Sequence, residues 1–335
     1  MAVEASSPLW ERALALQEAQ LREWPALARG HEFLRKALWR EWRIQGWTVK
    51  AQCNEGRRAS NKARVDPASV EKRPCFLCAE NRPPEQRGLD WKGGWWILAN
   101  PAPLFPHHFT VTSARHGREP VTRRLGDFLD LARDLSPALS VFYNGPRSGA
   151  SAPDHFHFQA YTAGSLPVEE EVLLGGGPRR GVLARLEEGE VRREVVEAAG
   201  RGMLVLTGPD REALLERLRR AVDLLPRPAG AAAAGEGWDE PDLNLLGLFR
   251  EGLWRIALFP RKAHRPACYF REEPERLLVS PGGADLGGML VLVRREDLER
   301  LEEETILGIY REVAWRGEEI LERLGPGGGA ARREN

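Results

Sequence analysis

The sequence has few cysteines, no net charge and no long apolar run. Its 335 residues contain four cysteines, 49 basic residues and 49 acidic residues. Four cysteines in a chain of this length do not indicate a disulfide framework, and a reducing compartment fits them better. Zero net charge gives no global electrostatic reason to expect nucleic acid or an anionic membrane as a partner, so any phosphate must be held by a local cluster. No segment reaches the ~18 apolar residues of a membrane span and the start has no leader pattern, so we expect a cytoplasmic protein.

Helical and strand-like patterns alternate through the first half of the chain. Leu and Trp at helical spacing predict helices at residues 8–24 and 26–47, and a polar, arginine-rich loop follows at 52–73. A further amphipathic helix is predicted at 121–135. Short apolar runs predict strands at 95–99, 109–112, 141–143 and 156–161. The turn residues between these runs favour an α+β fold with a largely antiparallel sheet and flanking helices.

The second half of the chain repeats this mixture after a linker. Residues 210–225 predict a helix, and the alanine- and glycine-rich stretch 226–241 reads as a linker. Two strands and a final helix are predicted beyond it, at 253–259, 289–293 and 303–324. The expected divisions are N-terminal helices at 1–50, a first half at 51–165, an insertion and linker at 166–240, a second, degenerate half at 241–325, and a disordered tail at 326–335.

A faint internal echo favours a duplicated fold. Residues 109–116 and 256–264 both form a short apolar run that enters a basic turn and ends at a histidine. A duplication would also explain a length greater than that of one average domain.

The most informative segment is the stretch 149–159, which reads GASAPDHFHFQ. Because successive side chains of a strand point to opposite faces, His155, His157 and Gln159 are predicted to share one face, and Phe156 and Phe158 the other. A neutral imidazole can attack a phosphorus atom, which divides one difficult displacement into two easier ones. We expect His157 to be the nucleophile. The alternative is a half-buried strand whose histidines are only structural.

Two further groups support a phosphate site around this strand. The amide of Gln159 could hydrogen-bond a non-bridging oxygen of the transferred group or orient the imidazole ring. The backbone N–H groups of the turn at 148–151 could hold its negative charge. These predictions place a phosphoryl group against the strand that carries His157.

Cys75 and Cys78 have the spacing of half a tetrahedral zinc site, which needs two further ligands. We expect these to be His116, which follows a strand of the same sheet, and His155. The alternative third ligands are His107 and His108. Four protein ligands leave no open position, so the role of such a zinc ion would be structural. A redox Cys-x-x-Cys motif, or a pair of buried thiols, is the alternative interpretation.

The pattern His155-x-His157-x-Gln159 resembles that of the histidine triad superfamily, in particular its transferase branch. In that branch, which includes galactose-1-phosphate uridylyltransferases, dinucleoside tetraphosphate phosphorylases and GDP-hexose phosphorylases, the second histidine is the covalent nucleophile and glutamine replaces the third. The chain is also similar to an uncharacterised bacterial family of this branch. The resemblance implies a histidine triad-like antiparallel sheet with flanking helices, duplicated into two halves.

Two other segments share the resemblance. Cys75-x-x-Cys78, with His116 and His155, is similar to the structural zinc ligands of the uridylyltransferases. The segment 52–57, QCNEGR, is similar to a motif of the GDP-hexose phosphorylases.

The resemblance implies a nucleotidyltransferase or phosphorylase that acts on a nucleoside diphosphate sugar or a dinucleoside polyphosphate. A nucleotidyl-histidine intermediate would pass to inorganic phosphate or a sugar phosphate. The expected substrate-binding residues are Asn54, Arg57, Arg64, Asn144, Arg147, Ser148, Gly149 and Ser151. Structural zinc is expected, without an organic cofactor, and the protein should be a monomer or a homodimer. The alternatives are a hydrolase that uses water as acceptor and a nucleotide-binding zinc module without turnover.

Overall fold

The computed structural model describes residues 7–58, 69–70, 72–178, 181–228 and 239–325. Its α-helices are α1 (Leu9–Glu23), α2 (Pro25–Arg35), α3 (Leu125–Asp134), α4 (Arg211–Asp223), α5 (Gly283–Leu286), α6 (Arg295–Arg300), α7 (Glu303–Val313) and α8 (Gly317–Leu324). Its strands are β1 (Leu38–Ile44), β2 (Trp47–Cys53), β3 (Gly88–Trp91), β4 (Trp95–Ala99), β5 (His108–Ser113), β6 (Leu139–Asn144), β7 (His157–Thr162), β8 (Val182–Glu188), β9 (Val191–Ala198), β10 (Arg201–Gly208), β11 (Leu243–Arg250), β12 (Leu253–Pro260) and β13 (Met289–Leu292).

The long helix predicted at 26–47 is wrong beyond Arg35. The chain instead forms the hairpin β1–β2, which turns at Gln45 and Gly46. Both turn residues have positive φ, 54° and 84°, as a two-residue hairpin turn that matches the strand twist requires. Strand β13 pairs in parallel with β2, so the hairpin belongs to a three-stranded sheet with the order β1-β2-β13.

A ten-stranded sheet consists of two five-stranded units of identical topology. The order is β3-β4-β5-β7-β6 in the first unit and β8-β9-β10-β12-β11 in the second, and the antiparallel pair β6–β11 joins them. Helix α3 lies between the third and fourth strands of the first unit along the chain, and α4 occupies the same place in the second. We call these units the first repeat (88–162) and the second repeat (182–260).

The second repeat begins at residue 182, earlier than the second half expected at 241–325. Strands β8–β10 and helix α4 fall in the stretch 166–240, expected as an insertion and linker, yet they form most of the second repeat. The internal echo is also wrong as evidence of duplication, because it compares β5, the third strand of its repeat, with β12, the fifth. The counterpart of β12 is β7. The helix expected at 303–324 is broken into α7 and α8 by extended backbone at Ala314 and Arg316.

Each face of the large sheet is covered by a different layer. One face, with Phe158 and Ile256, packs against α3, α4 and α8. The other, with Tyr161 and Leu246, packs against the three-stranded sheet, α5 and α7. The described residues contain no helix whose length and apolar character would let it cross a membrane. The predicted α+β architecture, an antiparallel sheet with flanking helices, is confirmed.

Candidate active site and metal cluster

Strand β7 separates a core face from a polar face, as its alternation predicts. Phe158 is fully buried and stacks on Trp95 with ring centroids 5.1 Å apart. His157 and Gln159 point to the opposite face, where they line a cavity of about 790 Å³. The cavity is thus fixed to the first repeat by a strand whose other face is anchored in the core.

The imidazole of His157 is held by a backbone contact. Its Nδ1 lies 2.8 Å from the carbonyl oxygen of His155. Because a carbonyl oxygen only accepts, Nδ1 carries the proton, and Nε2 keeps its lone pair. Within the described residues Nε2 has no hydrogen-bond partner. Burial lowers the pKa of His157 to about 4. A neutral ring with a free nitrogen therefore lines the cavity.

Gln159 is oriented by a residue that the sequence did not assign to this role. The Oε1 atom of Gln159 lies 2.8 Å from Nε2 of His108. The other ring nitrogen of His108, Nδ1, accepts a hydrogen bond from the backbone N–H of Leu104 at 3.1 Å. The carbonyl end of the Gln159 amide is therefore occupied, and no described residue accepts from its NH₂ group.

The turn before β7 approaches the second half of the chain closely. Gly149 has φ +98°, a conformation that favours glycine, and a Cβ there would lie 2.6 Å from Cα of Gly282. Gly149, Ala150 and Ser151 line the cavity. Their backbone N–H groups have no acceptor among the described residues, so they are available as hydrogen-bond donors at the cavity wall.

A buried polar network closes the cavity where the two repeats meet. Asn144, at the end of β6, accepts hydrogen bonds from Asn244 at 2.8 Å and from the backbone N–H of Gly283 at 2.7 Å. The guanidinium of Arg261 donates to Oδ1 of Asn244 at 2.6 Å and to the carbonyl oxygen of Pro281 at 3.1 Å. Burial lowers the pKa of Arg261 to about 10. This network joins β6, β11 and the segment after β12 into one rigid wall.

The expected substrate residues divide into three groups. Those that line the cavity are Arg57, Asn144, Gly149 and Ser151, together with His157 and Gln159. A second group does not line the cavity and makes structural contacts: Asn54, Arg147 and Ser148. Arg64 lies outside the described residues.

The contacts of the second group show why they are structural. Asn54 accepts from the backbone N–H of Gly56 at 3.1 Å and donates to the carbonyl of Pro103 at 3.1 Å. Arg147 pairs with Asp242 at 2.8 Å. Ser148 is buried, and its carbonyl accepts from Asn244 at 2.7 Å. The side chains of Asn54 and Arg147 and the backbone carbonyl of Ser148 hold the loops around the cavity.

Several cavity residues were missed by the sequence reading. From the first repeat and the loop before it come Lys72, Arg73 and Thr110, and from the segment after β12 come His264, Arg265, Ser280 and Asp285. Thr110 lies on β5 opposite Gln159 on β7. The residues after β12 reach the site only because β6 pairs with β11, and no local pattern marks them. The sequence pattern marks the basic turn with His264, but only as a match to the first half.

The four expected metal ligands converge. The ligand atoms of Cys75, Cys78, His116 and His155 all lie within 4.8 Å of one another. The Sγ atom of Cys75 is 3.4 Å from Nδ1 of His155, and that of Cys78 is 3.2 Å from Nδ1 of His116. The Nε2 atom of His155 donates to the carbonyl oxygen of Ser113 at 2.9 Å, which directs the lone pair of Nδ1 at the thiols. This arrangement can hold a metal ion.

The rival ligands for this cluster are elsewhere. His108 contacts Gln159, as described above, and His107 lines a different cavity beside α2. The proposal of either one as third ligand is therefore wrong. Burial and the neighbouring Cys75 raise the pKa of the Cys78 thiol to about 12. A divalent cation would reverse this preference by favouring the thiolate.

Comparisons with known proteins concern the fold of the chain. A family described as a domain of unknown function, DUF4922, matches residues 16–162, which is less than half of the chain. No curated protein matches the sequence. The crystal structure of yeast Ap4A phosphorylase Apa2 is similar, with a TM-score of 0.56 and 16% identity over 87% of this chain and 98% of that one.

Two further structures extend the comparison. The yeast phosphorylase in complex with Ap4A has a TM-score of 0.52 and 16% identity over 84% of this chain and 90% of its own. A uridylyltransferase mutant reaches a TM-score of only 0.31 at 11% identity, over 71% and 91% of the two chains, and supports no argument. The likeness to the yeast enzyme, at 16% identity, shows that this chain shares its fold.

Proposed function

We propose that this chain, which shares the fold of the yeast Ap4A phosphorylase, is a nucleotidyltransferase of the phosphorylase type. Its substrate would be a dinucleoside polyphosphate or a nucleoside diphosphate sugar, and its acceptor inorganic phosphate or a sugar phosphate. The observation that carries this proposal is His157, a neutral imidazole with a free Nε2 in a cavity rich in hydrogen-bond donors. The similar yeast enzyme is an Ap4A phosphorylase, which supports the same class of reaction.

The first step is attack by Nε2 of His157 on the α-phosphorus of the substrate. A P–N bond forms, and the P–O bond to the remaining phosphate chain or sugar phosphate breaks. The Nδ1–H group keeps donating to the carbonyl oxygen of His155, and this hydrogen bond stabilises the positive charge that develops on the ring. In the second step an oxygen of the acceptor phosphate attacks the same phosphorus, the P–N bond breaks, and the lone pair returns to Nε2.

Donors around the cavity match the negative charge of such a substrate. We expect the NH₂ group of Gln159 and the backbone N–H groups of 149–151, which belong to residues that line the cavity, to donate to the transferred phosphoryl group. Arg57, Lys72, Arg73 and Arg265 add positive charge from two sides of the cavity. Their number fits a substrate with more than one phosphate, and guanidinium groups can contact phosphate through two nitrogen atoms.

The proposal is tested by trapping the intermediate. The wild-type protein is incubated without phosphate with Ap4A, UDP-glucose or GDP-mannose labelled at the α-phosphorus, and the denatured protein is examined for acid-labile label by mass spectrometry. We expect the label to depend on His157 and to be discharged by inorganic phosphate with formation of a nucleoside diphosphate. Label that persists in His157→Ala would contradict the assignment. Discharge by water at the same rate as by phosphate would indicate a hydrolase.

We further propose that Cys75, Cys78, His116 and His155 bind structural zinc. Tetrahedral coordination with ordinary zinc bond lengths requires S···N separations of about 3.6 Å, and the contacts from Sγ to Nδ1 are 3.2, 3.4 and 3.7 Å. The ion would connect the segment of Cys75 and Cys78 to the turn that precedes β7. Since all four ligands come from the protein, it would position His157 without contacting the substrate.

Metal analysis tests this second proposal. The purified protein should contain about one zinc per chain, and Cys75→Ser should lose it and unfold at a lower temperature. Cys268→Ser is the matched control, because Cys268 is half-buried and lies outside the cluster. If a chelator removes the metal from the wild-type protein and the melting temperature does not change, the proposal is contradicted.

A further inference from the structure

His108 stands at the beginning of β5, directly behind Gln159. Its side chain is only 1% exposed, and its ring lies against Phe105, with centroids 5.5 Å apart, and Phe142, at 6.2 Å. It is not among the residues that line the cavity. Any part it takes in the chemistry must therefore pass through Gln159, the polar side chain between it and the substrate.

The hydrogen bonds of His108 determine where its proton lies. The backbone N–H of Leu104 can only donate, so Nδ1 of His108 must be the acceptor. In the neutral ring the proton is then on Nε2, which donates to Oε1 of Gln159 at 2.8 Å. The backbone N–H of Leu104 thus fixes the tautomer of His108. This tautomer can bind only the oxygen end of the Gln159 carboxamide.

A glutamine amide has nearly the same shape in its two orientations, so only its partners decide which end faces the cavity. With Oε1 held by His108, the NH₂ group is left to face the phosphoryl group. In the opposite orientation, a carbonyl oxygen would face the phosphate oxygens and repel them. On the basis of the proposed function, we propose that His108 is a positioning residue that keeps Gln159 in the donating orientation.

The surroundings of His108 keep this arrangement intact. Burial, and after it the positive charge of Arg57, lower the pKa of His108 to about 3. A protonated ring would place an N–H at Nδ1 opposite the N–H of Leu104, which is a repulsive contact. The neutral tautomer is therefore stable throughout the range in which the enzyme would work.

Kinetics of the labelled intermediate test the role. His108→Leu keeps the volume and removes the donor, and we expect it to slow adduct formation by roughly 10- to 100-fold, up to the loss typical of one missing donor to a transition-state oxyanion. The substrate concentration at half-saturation should change little. His108→Gln, whose amide nitrogen can reach the position of Nε2, should recover part of the rate. His107→Gln is the neighbouring control and should leave the rate unchanged.

A double-mutant cycle separates positioning from general damage. If His108 acts through Gln159, His108→Leu should cost little further rate in a Gln159→Ala background. Effects that multiply would show that His108 acts independently of Gln159 and would overturn the proposal. Melting temperatures of all variants show whether the rate loss follows unfolding.

A spectroscopic measurement does not need turnover. In protein labelled with ¹⁵N in the histidine rings, His108, assigned by its absence from His108→Gln, should be the neutral Nε2–H tautomer at pH 7. The Nδ1–H tautomer or a charged ring would overturn the proposal.

If the wild-type protein forms no adduct, the proposed function fails, and AMP then serves as the probe. Equal weakening of AMP binding by His108→Leu and Gln159→Ala supports positioning, and unchanged binding in His108→Leu contradicts it.

Discussion

The two repeats of the large sheet have the same strand order and the same helix position, but only the first carries the polar strand. His157 on β7 pairs with Thr112 on β5, and Arg255 on β12 pairs in the same way with Thr207 on β10. Strand β12 contains neither histidine nor glutamine. The second repeat contributes instead to the core and, through the segment that follows β12, to the cavity wall. The two repeats therefore share a scaffold, and they differ in the side chains that we propose to be catalytic.

The largest expected difference between the repeats is catalytic. His157→Ala removes the nucleophile and should lower the rate of nucleotidyl transfer by at least ~10³-fold. Arg255→Gln changes the corresponding strand of the second repeat and should retain the wild-type rate. Steady-state turnover with inorganic phosphate as acceptor measures both. Comparable losses in the two variants would show that the repeats share the chemistry.

Arg261 tests the contribution of the second half to stability. Its buried guanidinium donates to the carbonyl oxygens of Val313 and Pro281 and to Asn244. Arg261→Met leaves these acceptors unsatisfied and should reduce the free energy of unfolding by about 3 kcal/mol or more. Urea denaturation measures the change. The exposed Arg271→Met is the control and should stay within about 0.5 kcal/mol of the wild type.

Buried neutral histidines on both sides of the cavity should make the protein sensitive to acid. Burial lowers the pKa of His108 to about 3, and burial with the charge of Arg265 does the same for His264. Below the unfolded pKa of 6.5 the unfolded chain binds a proton that the folded protein rejects, so stability falls as the pH drops.

Each of these histidines should account for about 2 kcal/mol of the fall between pH 7 and pH 5. Denaturation at the two pH values should show a smaller fall in His108→Gln and in His264→Gln than in the wild type. An unchanged pH dependence in His108→Gln would indicate that His108 of the wild type binds a proton as readily in the folded protein as in the unfolded chain.

The smallest expected effect concerns the turn where the first repeat meets the segment after β12. Gly149→Ala and Gly252→Ala both place a side chain at positive φ, and this backbone strain alone should cost each variant about 1 kcal/mol of stability. A Cβ at Gly252 meets open space, whereas one at Gly149 meets Gly282. Only Gly149→Ala should therefore also slow adduct formation. Equal activity of the two variants would mean that the contact with Gly282 does not shape the site.

The parts of the site that were foreseen follow from short-range patterns. Alternation around Phe158 predicted which side of β7 is core, and spacing singled out Cys75 and Cys78. The helix expected across 38–47 failed because the same tryptophans and leucines fit two periods, and the turn at Gln45 and Gly46 decides between them. The positions of His107 and His108 could not be separated by pattern, since adjacent strand residues face opposite ways and either could have reached the cluster.

The sequence by itself determined which local structures can form and which side chain we propose as the nucleophile. These properties depend on residues within one strand or one turn of each other. Only the tertiary structure decided that Arg261 and Gly282 complete a cavity begun by His157 more than 100 residues earlier. It also decided that His108 supports Gln159 rather than a metal ion. The reason is physical: these contacts depend on which strands pair and which faces are buried together, and that is settled by the packing of the whole core.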